Sequence, residues 1–332
     1  MAYFQTHDVS KVSLQPVEKI PALQNREFDI VVYGVTGHSG LLLAIALAGR
    51  SAKKLEIARA KLARLSDPIA LDFPLIIANS NDDKSLEAMC LRTKVVGTTV
   101  GPYLKYGEPL VRACARTGTG YCDLTGEAQF AELAATKYDK LAVQTSARIV
   151  SFTGFDSVPA DVGTATVGGT FDTIVNLMEN GLPPALLNKP SQPPPKGKTS
   201  IVFPLLDYTL RHGNSKQQSG AVDECFDGTL QAFLLQRGEG PDRNTVRKGL
   251  LECKFYATSA DGKQVETLCW QSVGDLGGFQ TALYQGESCV ALVKDASRPG
   301  PKPTGAGLTV GMCIGTDVML ERLRNSGFLS IE

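Results

Sequence analysis

Three glycines spaced three apart, Gly34, Gly37 and Gly40, follow directly on the β-branched run Asp29-Ile-Val-Val-Tyr33. The chemistry that this spacing suits is phosphate binding. In a dinucleotide fold the first glycine makes the tight turn, and the second lets backbone N–H groups approach a pyrophosphate. The third lets the next helix pack on the strand. Thr36 and Ser39 lie inside the loop and are counted with it as cofactor-binding residues. An isolated match of this kind is more often a plain turn. Its place immediately after a strand favours the cofactor reading. His38 has no sequence partner and reads as an exposed loop residue.

A second group follows in Gly49-Arg50-Ser51, with Lys54 close behind. A cofactor without a 2′-phosphate is usually held by an acidic residue at this place. A guanidinium and a hydroxyl suit the phosphate instead, so the expected cofactor is NADP(H). The alternative is a solvated, basic helix start. Further on, Thr98-Thr-Val100-Gly101-Pro102-Tyr103 ends a strand on a Gly-Pro turn, whose bare backbone at Val100, Gly101 and Pro102 could lie against a nicotinamide ring. Tyr103 is either a proton donor or a packing residue. In Tyr121-Cys-Asp123-Leu-Thr-Gly-Glu127 the carboxylates could act as acid and base or orient substrate, while Asp123 could equally cap a helix. The catalytic candidates are therefore Tyr103, Asp123 and Glu127. Cys122 reads as a buried strand residue, and Asp156 and Ser157 as residues facing a cleft.

Composition bounds the remaining possibilities. In 332 residues, 34 Lys plus Arg cancel 34 Asp plus Glu, so no basic field marks nucleic acid as a partner. Leu41 to Ala48 is the longest apolar run, far short of the roughly 20 residues that a membrane span needs. The opening residues carry acids and no apolar block, and the eight cysteines include no CxxC pair. The expectation is a cytoplasmic protein with no secretory signal, no metal site and no disulfide framework.

The elements that must position these groups alternate in residues 28–154. Strands are expected at Asp29–Tyr33, Leu75–Ala78, Lys94–Val100 and Arg148–Phe152. Helices are expected at Lys84–Leu91 with Asp82 or Asp83 as cap, from Gly107 to Gly118, and over Glu127–Gln144. Residues 1–26 show no period and read as a loose arm. Six prolines crowd 183–198, residues 199–275 suit an antiparallel sheet, and helices are expected over Phe279–Val293 and from about Gly305 to Asn325. The fold class is α/β. A Rossmann-type parallel sheet domain (27–160) is followed by a smaller α+β domain (161–332) with a mostly antiparallel sheet. An edge of that second sheet suits pairing in a homodimer. One spacing conflicts with this plan: only eight residues separate Gly40 from Gly49. A crossover helix plus a second strand needs more, so one of them is expected to be missing and the cofactor to bind weakly.

The motifs above, with Tyr106-Gly-Glu-Pro-Leu110, Gly154-Phe-Asp-Ser-Val-Pro159, Arg237-Gly-Glu-Gly-Pro241, Gly274-Asp275 and Met319-Leu-Glu-Arg-Leu323, occur in an order that resembles the saccharopine dehydrogenase-like oxidoreductases. That family includes the trans-acting enoyl reductases of glycolipid and polyketide pathways. The resemblance implies NADP(H)-dependent reduction of a double bond on a small, lipid-linked or polyketide-like substrate. Eukaryotic relatives associate with lipid droplets and membranes. A catalytically degenerate relative acting in protein or lipid association is the alternative.

Overall fold

The computed structural model describes residues 13–35, 46–65, 67–166, 250–258, 265–295 and 303–331. Its centre is a seven-stranded sheet in the order β3-β2-β1-β4-β5-β6-β9, every neighbouring pair parallel. The strands are β1 Phe28–Tyr33, β2 Leu47–Gly49, β3 Leu75–Ile77, β4 Thr93–Thr98, β5 Gly120–Asp123, β6 Arg148–Val150 and β9 Gly305–Leu308. Residues Ile30 to Tyr33 are all buried, as a strand covered on both faces requires. A second sheet pairs β7 Leu250–Thr258, β8 Val265–Val273 and β10 Leu329–Ile331 in the antiparallel order β10-β8-β7. The expected fold class, a Rossmann-type parallel sheet with a smaller antiparallel one, is the fold observed.

Helices cover both faces. On one lie α2 (Asp83–Leu91), α4 (Glu108–Thr117) and α5 (Ala128–Thr145), packed over Val31, Val96, Tyr121 and Ile149. Their ends are where the sequence put them. The Asp82 side chain accepts from the N–H groups of Lys84 and Ser85, α4 opens with Glu108 and Pro109, and Gly118 closes it at φ 67°. On the other face a core that includes Val95, Cys122, Val150, Trp270 and Leu292 packs α6 (Val158–Thr166), α7 (Thr281–Lys294) and α9 (Thr316–Asn325). Helix α1 (Ala52–Leu65) and the short helices α3 (Tyr103–Tyr106) and α8 (Val310–Cys313) complete the set. Among the described residues, no helix is long and apolar enough to cross a membrane.

Two expectations need correction. Gly305 to Leu308 is a strand, not the start of a long helix, and it joins the first sheet beside β6. Gly305 and Gly307 hold φ values of 139° and 79°, outside the helical region. A Cβ on Gly307 would come within 2.5 Å of the Ala135 Cβ, so bare glycine is what lets β9 lie against α5. The arm is not loose at its described end. Val17 N–H donates to the Arg116 carbonyl, and the buried Arg26 guanidinium donates to the carbonyls of Cys90, Thr93 and Thr117. Of the two elements of which one was expected to be missing, the second strand is present as β2, parallel to β1. It takes only the last part of the apolar run, Leu47 to Gly49. Residues 36–45, the proline-rich 183–198 and most of 199–249 lie outside the described residues.

Candidate functional site

The strand order reverses between β1 and β4: β2 and β3 follow outward from β1, and β5, β6 and β9 from β4. In open α/β sheets ligands bind outside the carboxyl ends of the strands at such a point. Here those ends are knitted together by backbone. Gly34 N–H donates to the Ala48 carbonyl at 3.1 Å, Thr99 N–H to the Tyr33 carbonyl at 3.0 Å, and the Thr99 hydroxyl to the Gly34 carbonyl at 3.1 Å. Gly34 has φ 95°, and a Cβ there would lie 2.6 Å from Val100 Cγ2. Only glycine fits this turn.

Of the cofactor-binding candidates, Gly34, Arg50, Ser51, Lys54, Val100, Gly101 and Pro102 all lie at this carboxyl edge or on the first turn of α1. Thr36, Gly37, Ser39 and Gly40 lie outside the described residues. The Ser51 hydroxyl faces the Lys54 N–H at 3.4 Å and so acts as a cap for α1. Arg50 and Lys54 are exposed, and neither side chain has an ion-pair partner among the described residues. Two free cations beside a helix N-terminus form a donor set that fits an anionic group such as a phosphate. Close by, the Tyr33 hydroxyl meets the Ser80 Oγ at 3.0 Å; burial raises its phenol above the ordinary value, with Ser80 and then Arg50 opposing. The sequence reading did not single out Tyr33 or Ser80.

The catalytic candidates meet at the ends of β4 and β5, but in roles the sequence left open. Tyr103 is buried. Its hydroxyl donates to the Thr98 carbonyl at 3.1 Å and accepts from Leu124 N–H at 3.2 Å. Burial, then the Asp123 charge, pushes its phenol far above the ordinary value. A hydroxyl so engaged ties β4 to the loop after β5 rather than delivering protons. Glu127 closes the same knot, its two carboxylate oxygens accepting from the N–H groups of Tyr103 at 2.7 Å and Leu104 at 3.0 Å.

Asp123 does not cap a helix. It is fully buried, and its Oδ1 accepts from the N–H groups of Thr125 at 3.1 Å and Phe152 at 3.3 Å, while Oδ2 accepts from the Ser151 hydroxyl at 3.2 Å. Burial raises its pKa to about 6, against the hydrogen bonds, which lower it. Phe152, held by that carboxylate, sits at φ 62°, costly for an aromatic residue. Asp156 lies half-buried against Gly126 and Gly154, with its pKa raised by burial. Gln285 was missed by sequence reasoning: from α7 its Nε2 donates to the carbonyls of Thr98 at 3.0 Å and Cys122 at 3.1 Å, joining both strand ends. Nothing in its local sequence marks it, because the partners lie more than 160 residues away. No group of His, Cys, Asp or Glu among the described residues could hold a metal.

No family model matches the chain. Over 148 residues it is 52% identical to a trans-acting enoyl reductase of Mycobacterium leprae, a match that takes in 41% of this chain and 34% of the relative. With the trans-acting enoyl reductase of Mycobacterium tuberculosis, the identity is 50% over the same length and the same shares of both chains. Over that stretch the chain is similar to the trans-acting enoyl reductases. The similarity agrees with the saccharopine dehydrogenase-like resemblance that the motifs carry. The match spans about a third of these enoyl reductases' length. Among solved structures, the apo saccharopine dehydrogenase (L-Glu forming) of Saccharomyces cerevisiae aligns with a TM-score of 0.49 and 13% identity, covering 92% of this chain and 99% of that one.

Proposed function

We propose that the chain is an NADP(H)-dependent reductase of the enoyl reductase type, acting on a carbon–carbon double bond of a lipid-like or polyketide-like substrate. The observation that carries this reading is the switch point, where Gly34 and Val100 pack against each other, joined to half-identity with trans-acting enoyl reductases over the matching stretch. A nicotinamide cofactor, when bound, supplies the hydride. The chain's own residues do the rest. Arg50 and Lys54, with the N-terminus of α1, would hold the 2′-phosphate. The Val100-Gly101-Pro102 backbone would form the surface against which the ring lies, and Glu127 and Tyr103 fix that backbone. Asp123 and Gln285 hold the ends of β4, β5 and β6 at fixed separation. Positioning of this kind accounts for much of a hydride-transfer enzyme's work.

The alternative is a catalytically degenerate relative that serves in protein or lipid association. The eight residues between Gly40 and Gly49 are the sequence feature that favours it. A fluorescence titration with NADPH, followed by turnover on a 2-enoyl thioester, separates the two. Saturable binding with oxidation of NADPH supports the reductase, and no binding at millimolar cofactor sinks it. Pairing of second-sheet edges would make the protein a homodimer, and a monomer mass in light scattering at micromolar concentration would refute that.

A further inference from the structure

Cys90 and Cys114 lie outside the candidate site. Cys90 is in the last turn of α2 and Cys114 is in α4, and both side chains are fully buried. Their Sγ atoms are 3.6 Å apart, in van der Waals contact. A disulfide needs about 2.05 Å, so the two sulfurs must close by about 1.5 Å to bond.

The surroundings hold the pair in place. Arg26 reaches in from the N-terminal segment, and its Nη1 donates to the Cys90 carbonyl at 3.1 Å, the Thr93 carbonyl at 2.6 Å and the Thr119 Oγ1 at 2.6 Å. Its Nη2 donates to the Thr117 carbonyl at 2.5 Å. One side chain thus fastens the end of α2 to the end of α4, the two helices that carry the thiols. No carboxylate meets this guanidinium among the described residues; its partners are carbonyls and a hydroxyl. Burial lowers the pKa of Arg26, and the two thiols work against that shift because their ionised forms would face it. Cys114 in turn is raised by burial and by Cys90, with Arg26 favouring the thiolate.

The other described thiols are Cys122, Cys253, Cys269, Cys289 and Cys313. Cys253 stands opposite Trp270 and Cys269 opposite Lys254 on paired strands, so the two point to opposite faces of their sheet and cannot close. Cys122 and Cys289 do meet, in the core beneath α7.

We infer that Cys90 and Cys114 form an oxidative modification site that takes a small, neutral two-electron oxidant of the peroxide class and closes to an internal disulfide. One thiolate sulfur attacks the O–O bond of hydrogen peroxide, giving a sulfenic acid and, after proton uptake, water. The second thiol displaces a second water from that sulfur. Two S–H bonds are lost, one S–S bond forms, and the peroxide is reduced to two waters. Because both sulfurs are buried, the rate is set by local opening at the ends of α2 and α4.

The test is hydrogen peroxide treatment of the folded, full-length chain, quenched with N-ethylmaleimide in denaturant and mapped as unreduced peptides. The expected result is a Cys90–Cys114 cross-linked peptide and a loss of about 2 Da reversed by dithiothreitol, forming before any other cross-link. In Cys114→Ser the bridge should be absent and Cys90 trapped by dimedone as the sulfenic acid. A variant that fails to fold leaves the mapping of the unmodified protein to decide. A first bridge at Cys122–Cys289, oxidation confined to Cys253 and Cys269, or a Cys90–Cys114 bridge that forms only in urea would each overturn the assignment.

Discussion

The Glu127 carboxylate grips the backbone of Tyr103: one oxygen accepts from Tyr103 N–H at 2.7 Å and the other from Leu104 N–H at 3.0 Å. A residue with the chemistry of an acid or base is here a clamp on the turn after β4. Truncating it frees two N–H donors at the start of α3. Glu127→Ala is expected to cost about 1–2 kcal/mol of stability, the range for a lost helix cap, and to weaken NADPH binding. Glu127→Gln keeps acceptor and donor in one group and should lose less. Urea midpoints for both variants check this, and equal midpoints for Glu127→Ala and the parent would refute the clamp.

Tyr103→Phe separates positioning from proton transfer. Loss of a general acid lowers turnover by roughly 10²–10⁴-fold. Loss of two backbone contacts instead costs stability, on the order of 1–3 kcal/mol for the buried groups left unpaired. The expected outcome is a lowered denaturation midpoint with kcat within about tenfold of the parent. A kcat collapse at unchanged stability would return Tyr103 to the catalytic list.

Arg50→Ala addresses cofactor choice. A charge-assisted contact to a 2′-phosphate contributes roughly 1.5–3 kcal/mol, so the variant should lose at least tenfold in NADPH affinity and little for NADH. Equal binding of both cofactors by the parent would remove the reason for the assignment.

Asp123 gives stability a pH dependence of defined sign. Its folded pKa, about 6, lies above the ordinary 3.8. The folded state therefore favours the neutral acid. The associated stability is fully present below pH 3.8 and is lost as pH rises toward 6, at up to about 1.4 kcal/mol per unit. Asp123→Asn offers a neutral group of the same shape, with the amide oxygen facing Thr125 and Phe152. Its unfolding free energy should lack that decline, so the difference between variant and parent should grow in the variant's favour from pH 4 to 6. A constant difference across the window would contradict the burial assigned to this carboxyl.

The connection after Gly34 supplies a gain-of-function test. Inserting a relative-like helix between Gly40 and Leu41 is expected to tighten NADPH binding at least tenfold, about 1.4 kcal/mol. Micromolar binding by the unaltered chain would show that the loop holds the cofactor without it.

The sequence by itself determined the parallel sheet and the helix ends that local chemistry governs. The β-branched runs, the Asp82 cap, Pro109 early in α4 and Gly118 after it act through neighbours a few residues away, and each element formed where those signals stood. Gly34 was legible for the same reason, since a strand running into glycine announces a turn. Roles at the site were not legible. Glu127, Tyr103 and Asp123 were found by residue type, yet what each does depends on which backbone group stands opposite: the Tyr103 N–H for Glu127, the Thr98 carbonyl for Tyr103, the Phe152 N–H for Asp123. Gln285 and Arg26 carried no signal at all, because their partners come from strands and helices distant in the chain. The return of Gly305–Leu308 to the first sheet was hidden likewise. Its two glycines read as breaks in a helix until α5 stood beside them, close enough that no side chain fits. Local signals decided the elements. Burial and long-range hydrogen bonding, which exist only once the chain has folded, decided what the residues do.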